Sequence, residues 1–124
     1  MDFIDNRPPA NRGAHYSPGV ISGNLLYVSG QLSADPVTKA VPTTIAAEAA
    51  AALQSLDNVL TAAGTDKNKV ISCRIYTTDI AHWDEINEVY SRYFGEHRPA
   101  RAIVPVLPLH FGCNIEIEAV AELA

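Results

Sequence analysis

Ile115-Glu116-Ile117-Glu118-Ala119-Val120-Ala121 decides the fold. Apolar and polar residues alternate with a period of two through its first half. A strand with one face on a core and the other elsewhere has this pattern. Working back from it, Ala102–Val106 reads as a strand entered through Pro99, and Val70–Thr77 as another, with Ile71, Cys73 and Ile75 assigned to its core face. Between these, Ala81–Phe94 has helical spacing and stops at Gly95. Thr43 or Thr44 can cap a longer helix that runs to Ala63, with Gly64 behind it. Its Ile45, Ala49, Ala52, Leu53, Leu56, Val59, Leu60 and Ala63 form one apolar stripe. Leu25–Ser29 is a short strand. Ser22-Gly23-Asn24 joins it to a hairpin partner at Pro18–Ile21. Residues 1–15, with Pro8 and Pro9, read as an irregular lead-in.

The expected order is two strands, helix, strand, helix, two strands, an α+β arrangement in one domain spanning residues 1–124. Two right-handed crossovers put both helices on one face of a mixed sheet. The other face, with Tyr27, Ser29, Tyr76 and Val120, is left bare, which points to self-association.

Composition narrows the function. Of 124 residues, 48% are hydrophobic and 19% charged, which is ordinary for a globular chain. Nine basic residues against fourteen acidic ones leave a net charge of −5, which disfavours nonspecific binding to nucleic acid or anionic lipid. No apolar run approaches the ~20 residues of a membrane span, and Met1–Asp5 lacks the pattern of a secretory signal, so a cytoplasmic location is expected. Cys73 and Cys113 read as separate buried thiols. The glycines form no phosphate-binding loop. His15, His82, His97 and His110 do not fall at metal-ligand spacing, so neither metal nor cofactor is expected.

Three polar residues stand out. Arg101 opens an apolar strand and needs an anionic partner, either a neighbouring carboxylate or a substrate carboxylate gripped through two hydrogen bonds. Glu116 lies on the strand face away from the core, either in solvent or at an interface where desolvation would suit it to acid–base work. Asn87 shares a helical stripe with Trp83, Tyr90 and Phe94, so its amide either bonds a backbone edge or faces a ligand. Tyr16 and Ser29 are weaker candidates.

The segments Gly13–Pro18, Gly23–Gln31 (with Ser29-Gly30-Gln31), Ala52–Leu60, Ile86–Tyr90, Pro99-Ala100-Arg101 and Ile115–Ala121, in this order, resemble the RidA/YjgF family of enamine/imine deaminases. The resemblance implies a chorismate-mutase-like α+β fold, a homotrimer with a central β-barrel, and active sites in clefts between subunits. It implies hydrolysis of 2-imino or 2-enamino acids to 2-ketoacids and ammonia. Arg101 matches the arginine that holds the substrate carboxylate, and Glu116 the carboxylate associated with water. Tyr16, Ser29, Gly30 and Asn87 match cleft positions. Ile103 stands where close relatives often have cysteine, making the pocket wall more apolar. The segments Gly95–Pro99 and Leu107–Gly112, which contains His110, depart from the usual pattern and bear on substrate preference. The expected partners are a small 2-imino or 2-keto acid and further copies of the chain, with no nucleic acid or membrane. The alternatives are an endoribonuclease, an activity also attached to the family, and a small-ligand-binding or chaperone-like module.

Overall fold

A computed structural model describes residues 1–123. Six strands form one sheet: β1 (Asp2–Ile4), β2 (Gly19–Ser22), β3 (Leu25–Leu32), β4 (Val70–Thr77), β5 (Ala100–Pro105) and β6 (Ile115–Glu122). Two helices, α1 (Ile45–Ala62) and α2 (Trp83–Phe94), complete the fold. The sheet order is β1-β2-β3-β6-β4-β5. Only β4 and β5 run parallel; the other neighbours are antiparallel. This is the expected α+β sheet with two helices, and the last-read strand, β6, lies inside it between β3 and β4.

Thr44 caps α1, its hydroxyl accepting from the Ala47 N–H at 3.1 Å. The stripe read from the sequence is the buried one, from Ala49 through Ala52, Leu53, Leu56 and Val59 to Leu60. Asp84 and Glu85 sit in the first turn of α2, where they complement the helix dipole. Gly64 (φ +81°) and Gly95 (φ +65°) follow the two helices in the left-handed region, where a side chain is strained. The core joins these helices to Leu26, Val28, Cys73, Ile75, Ile115, Ile117 and Ala119 of the sheet. Cys73 and Cys113 are free and buried, as expected.

The structure corrects two expectations. The lead-in is not wholly irregular: Asp2–Ile4 pairs antiparallel with Gly19–Ile21 as an edge strand. Ile71 does not share a face with Cys73 and Ile75. Val70 pairs with Ala121 and Ser72 with Val120, so Ile71 is an extra residue in a bulge. The bulge turns Ile71 outward, 42% exposed, and gives its core position to Val70.

One buried acid organises the end of the sheet near the site. Glu48, 2% exposed, accepts from the Ser33 hydroxyl, the Asn114 backbone N–H and the Asn114 side-chain amide, each at 2.8 Å. Asn114 in turn accepts from Thr78 through its Oδ1 (2.7 Å) and its backbone oxygen (3.1 Å). The ends of β3 and β4 and the starts of α1 and β6 are thereby tied together, with every polar group satisfied.

Candidate functional site

The candidate residues divide between the two faces of the sheet. Arg101 on β5 is in register with Cys73 of β4, whose side chain is in the core beneath the helices. Glu116 on β6 is in register with Tyr76 and lies between buried Ile115 and Ile117, so it points to the bare face. Neighbouring strands share side-chain direction at paired positions. Arg101 and Glu116 therefore face opposite ways, with β4 between their strands. One chain does not bring them together.

On the helix side, the Arg101 guanidinium donates to Asn87 Oδ1 at 2.9 Å. It lies 4.8 Å from the centre of the Tyr90 ring and 5.4 Å from that of Trp83. Among the described residues no carboxylate comes within 4.0 Å of it. The neighbouring-carboxylate reading of Arg101 therefore fails, and so does the backbone-edge reading of Asn87. A neutral amide and two aromatic rings hold the cation in place without neutralising it. Beside it lies a cavity of about 520 Å³, lined also by Ser91, His97 and Pro99. Ile103, two residues along the same face, is half-buried and packs on the core rather than lining this cavity. The Tyr90 hydroxyl is buried without a hydrogen-bond partner of acceptable geometry, with the Cys73 thiol as its neighbour. Burial pushes Cys73 up to about 11, so this thiol stays protonated near neutral pH and is no nucleophile.

On the bare face, Tyr16, Ser29, Gly30 and Glu116 line a single cavity of about 790 Å³. A β-bulge builds its floor. Val28 pairs with Ala119 and Gln31 with Ile117, so Ser29 and Gly30 together stand opposite Glu118. This brings the Gly30 backbone against Glu116. A Cβ on Gly30 would lie 2.8 Å from both the carboxyl carbon and Oε2 of that residue. The Ser29 hydroxyl is used locally, donating to the Ser17 backbone oxygen at 2.6 Å.

Glu116 and Glu118 share a face but differ in their partners. Glu118 accepts a short hydrogen bond from the Tyr76 hydroxyl and pairs with Arg74 at 3.7 Å. Glu116 has no hydrogen bond or ion pair among the described residues. Burial, and then the nearby Glu118 charge, raise its pKa above the ordinary glutamate value. A half-buried, unpaired carboxylate at a cavity wall is a candidate general base.

Sequence reasoning missed Arg7. Its guanidinium donates to both Asp5 oxygens at 2.9 Å and to the backbone oxygens of Asn11 (3.3 Å), Ala14 (3.1 Å) and Tyr16 (2.7 Å). It also lies 4.3 Å from the Tyr16 ring centre. Arg7 thus holds the loop that carries Tyr16, one wall of the cavity. The hydrogen bonds from Arg7 bring the Asp5 carboxyl down to about 2. No group of three His, Cys, Asp or Glu side chains among the described residues is placed to hold a metal ion.

The family whose model is described as Endoribonuclease L-PSP matches residues 5–123. The chain belongs to the RidA/YjgF family. Among its relatives is a rat protein named 2-iminobutanoate/2-iminopropanoate deaminase, 41% identical over 117 residues, 94% of this chain and 85% of that one. E. coli TdcF, solved with bound serine, superposes with a TM-score of 0.90 at 30% identity and covers all of both chains. RidA from the Antarctic bacterium Psychrobacter gives a TM-score of 0.90 at 32% identity, covering 99% of this chain and 100% of that one. RidA/YjgF members thus carry both deaminase and endoribonuclease names. No helix among the described residues of this member is long and apolar enough to cross a membrane.

Proposed function

We propose that the chain is a hydrolytic deaminase of 2-imino acids and their 2-enamino tautomers, working in the cytoplasm as a homotrimer whose sheets close into a central barrel. The observation that carries this reading is the split itself. An uncompensated guanidinium and an unpaired carboxylate lie on opposite faces of one sheet, so each needs a second copy of the chain to complete a site. The name of the rat relative supports the reaction.

In the site so formed, Arg101 of one copy grips the substrate carboxylate through two parallel hydrogen bonds. Asn87, Tyr90 and Trp83 keep its fork oriented. This fixes the C=N carbon beside Glu116 of the neighbouring copy. Glu116 takes a proton from water as the water oxygen bonds to the imine carbon, and delivers that proton to the nitrogen, which leaves Glu116 ionised again. The resulting carbinolamine collapses when its C–N bond breaks and ammonia leaves, giving the C=O of the 2-ketoacid. In this step ionised Glu116 accepts the hydroxyl proton and passes it to the leaving nitrogen, so that the base is regenerated. Tyr16 and the Gly30 backbone flank the reacting group. The imine is already electrophilic, so positioning and one base are enough for the chemistry.

Complementation tests the shared site. Arg101→Ala and Glu116→Gln chains, each inactive alone, are denatured, mixed and refolded, and ketoacid release is measured from an imine formed in situ. Recovery of activity in the mixture is expected, because a site with Arg101 from one parent and Glu116 from the other is intact. A mixture as inactive as its parents would overturn the proposal.

Simple ligand binding is the competing reading, favoured by the serine bound to TdcF. It requires ketoacid binding by the wild-type chain with no imine turnover. Ribonuclease action has the family model's description behind it, but the two carboxylates in the cavity and the net charge of −5 oppose binding of a polyanion.

A further inference from the structure

The loop before β6 holds a strained aromatic residue that the mechanism does not use. Phe111 has φ 60° and ψ 15°, the left-handed region, which is unfavourable for a bulky side chain. It is nonetheless 45% exposed, so burial of its ring in the core does not account for the conformation. The ring stacks on His110 with centroids 3.7 Å apart, and the Lys39 ammonium lies 5.5 Å from its centre. Both neighbours line the same cavity as Glu116, as Phe111 itself does. Tyr16, also half-exposed, and Leu32 extend the apolar wall.

We infer that Phe111 is a specificity-determining residue and that the cavity takes 2-imino acids with an aryl or comparably bulky apolar side chain. This rests on the deaminase reading above. Three observations converge on it. The apolar wall of His110, Phe111, Tyr16 and Leu32 is continuous with Glu116, all of them lining one cavity. Its exposed aromatic surface offers offset stacking to a flat apolar group. Its charges do not suit an acidic side chain. Glu116 and Glu118 are carboxylates, and the Lys39 ammonium is already held by Asn11 Oδ1 and the Pro36 backbone oxygen, each at 2.8 Å.

The test compares imines formed in situ from phenylalanine and alanine by an amino-acid oxidase, and reads the ratio of their kcat/KM values. In the wild-type chain the ratio favours the phenyl substrate by about tenfold or more, the range expected for one apolar group in a matching pocket. Phe111→Ala lowers the ratio about tenfold, and Phe111→Leu, which keeps apolar bulk, lowers it less. A wild-type ratio below one, or a ratio the alanine variant leaves unchanged, overturns the inference. Calorimetric binding of phenylpyruvate and pyruvate separates it from the parent proposal. Tighter, Phe111-dependent binding of phenylpyruvate without imine turnover sinks the deaminase reading and keeps the aromatic subsite. Turnover of both imines at equal kcat/KM does the reverse.

Discussion

The two faces of the sheet use alternate residues of the same strands and solve different problems. Under the helices, position is set by packing: Ile115, Ile117 and Ala119 interleave with the α1 stripe, and Arg101 is held in orientation by aromatic rings and an amide. On the bare face, position is set by irregularity and charge. A bulge brings Gly30 against Glu116, and Glu118 is occupied by Tyr76 and Arg74 so that Glu116 is left free. A sheet that is regular on one side can therefore carry a site on the other at small cost to its core.

Each face can be perturbed separately. The largest effect is expected on the helix side. Arg101→Ala lowers kcat/KM for imine hydrolysis by on the order of a thousandfold, the loss that follows removal of one partner from a desolvated charge pair. Arg101→Lys recovers little of it, because an ammonium cannot form the planar two-point contact. Full activity in the alanine variant would show that only the bare face matters.

Gly30→Ala is smaller and tests the bulge. The three atoms nearest the new Cβ all belong to the Glu116 side chain, whose end can move, so thermal stability changes little while the carboxylate is pushed from its place. A fall in kcat on the order of ten- to a hundredfold is expected from such a displacement. A large drop in Tm with kcat preserved would mean that the glycine serves the fold instead.

The smallest effect concerns the pH dependence of stability. The folded pKa of Glu116 is raised, so its ionised form is disfavoured in the folded state. The contribution of this group to stability is complete below its ordinary value of 4.5 and declines as pH rises through the folded value. Glu116→Gln removes that decline. The variant should melt slightly higher than the wild-type chain at pH 7 and no higher at pH 4, while losing turnover. A variant less stable at pH 7 would place a hidden partner on the carboxylate.

The helix-covered face was readable because burial imposes a period. The α1 stripe and the β6 alternation each follow from one apolar side, and the bounds of both elements come out within a residue or two. Periodicity failed where the backbone breaks it: Ile71 was assigned inward because alternation cannot register an extra residue in a strand. Asp2–Ile4 was missed because three residues at a sheet edge carry no usable pattern. The candidate site was legible in its residue types, and the family resemblance supplied the roles. Its separation onto two faces was implicit in strand parity, since β5 and β6 are each in phase with β4. What parity could not supply was the order of strands in the sheet. Arg7 was hard to single out, because its side-chain hydrogen-bond partner, Asp5, is two residues away and its other hydrogen bonds go to backbone oxygens, which any residue offers. Glu48 sits in an alanine-rich stretch whose spacing gives no sign of its partners, and its buried hydrogen bonds reach residues as far along the chain as Asn114.

The back-to-back placement of Arg101 and Glu116 has a genetic consequence in the proposed trimer. Each polypeptide lends one group to the cleft on its left and the other to the cleft on its right. A subunit defective in a single group silences one cleft of three. A subunit defective in both silences two, so a doubly substituted allele would poison its wild-type sister out of proportion to its share of the protein.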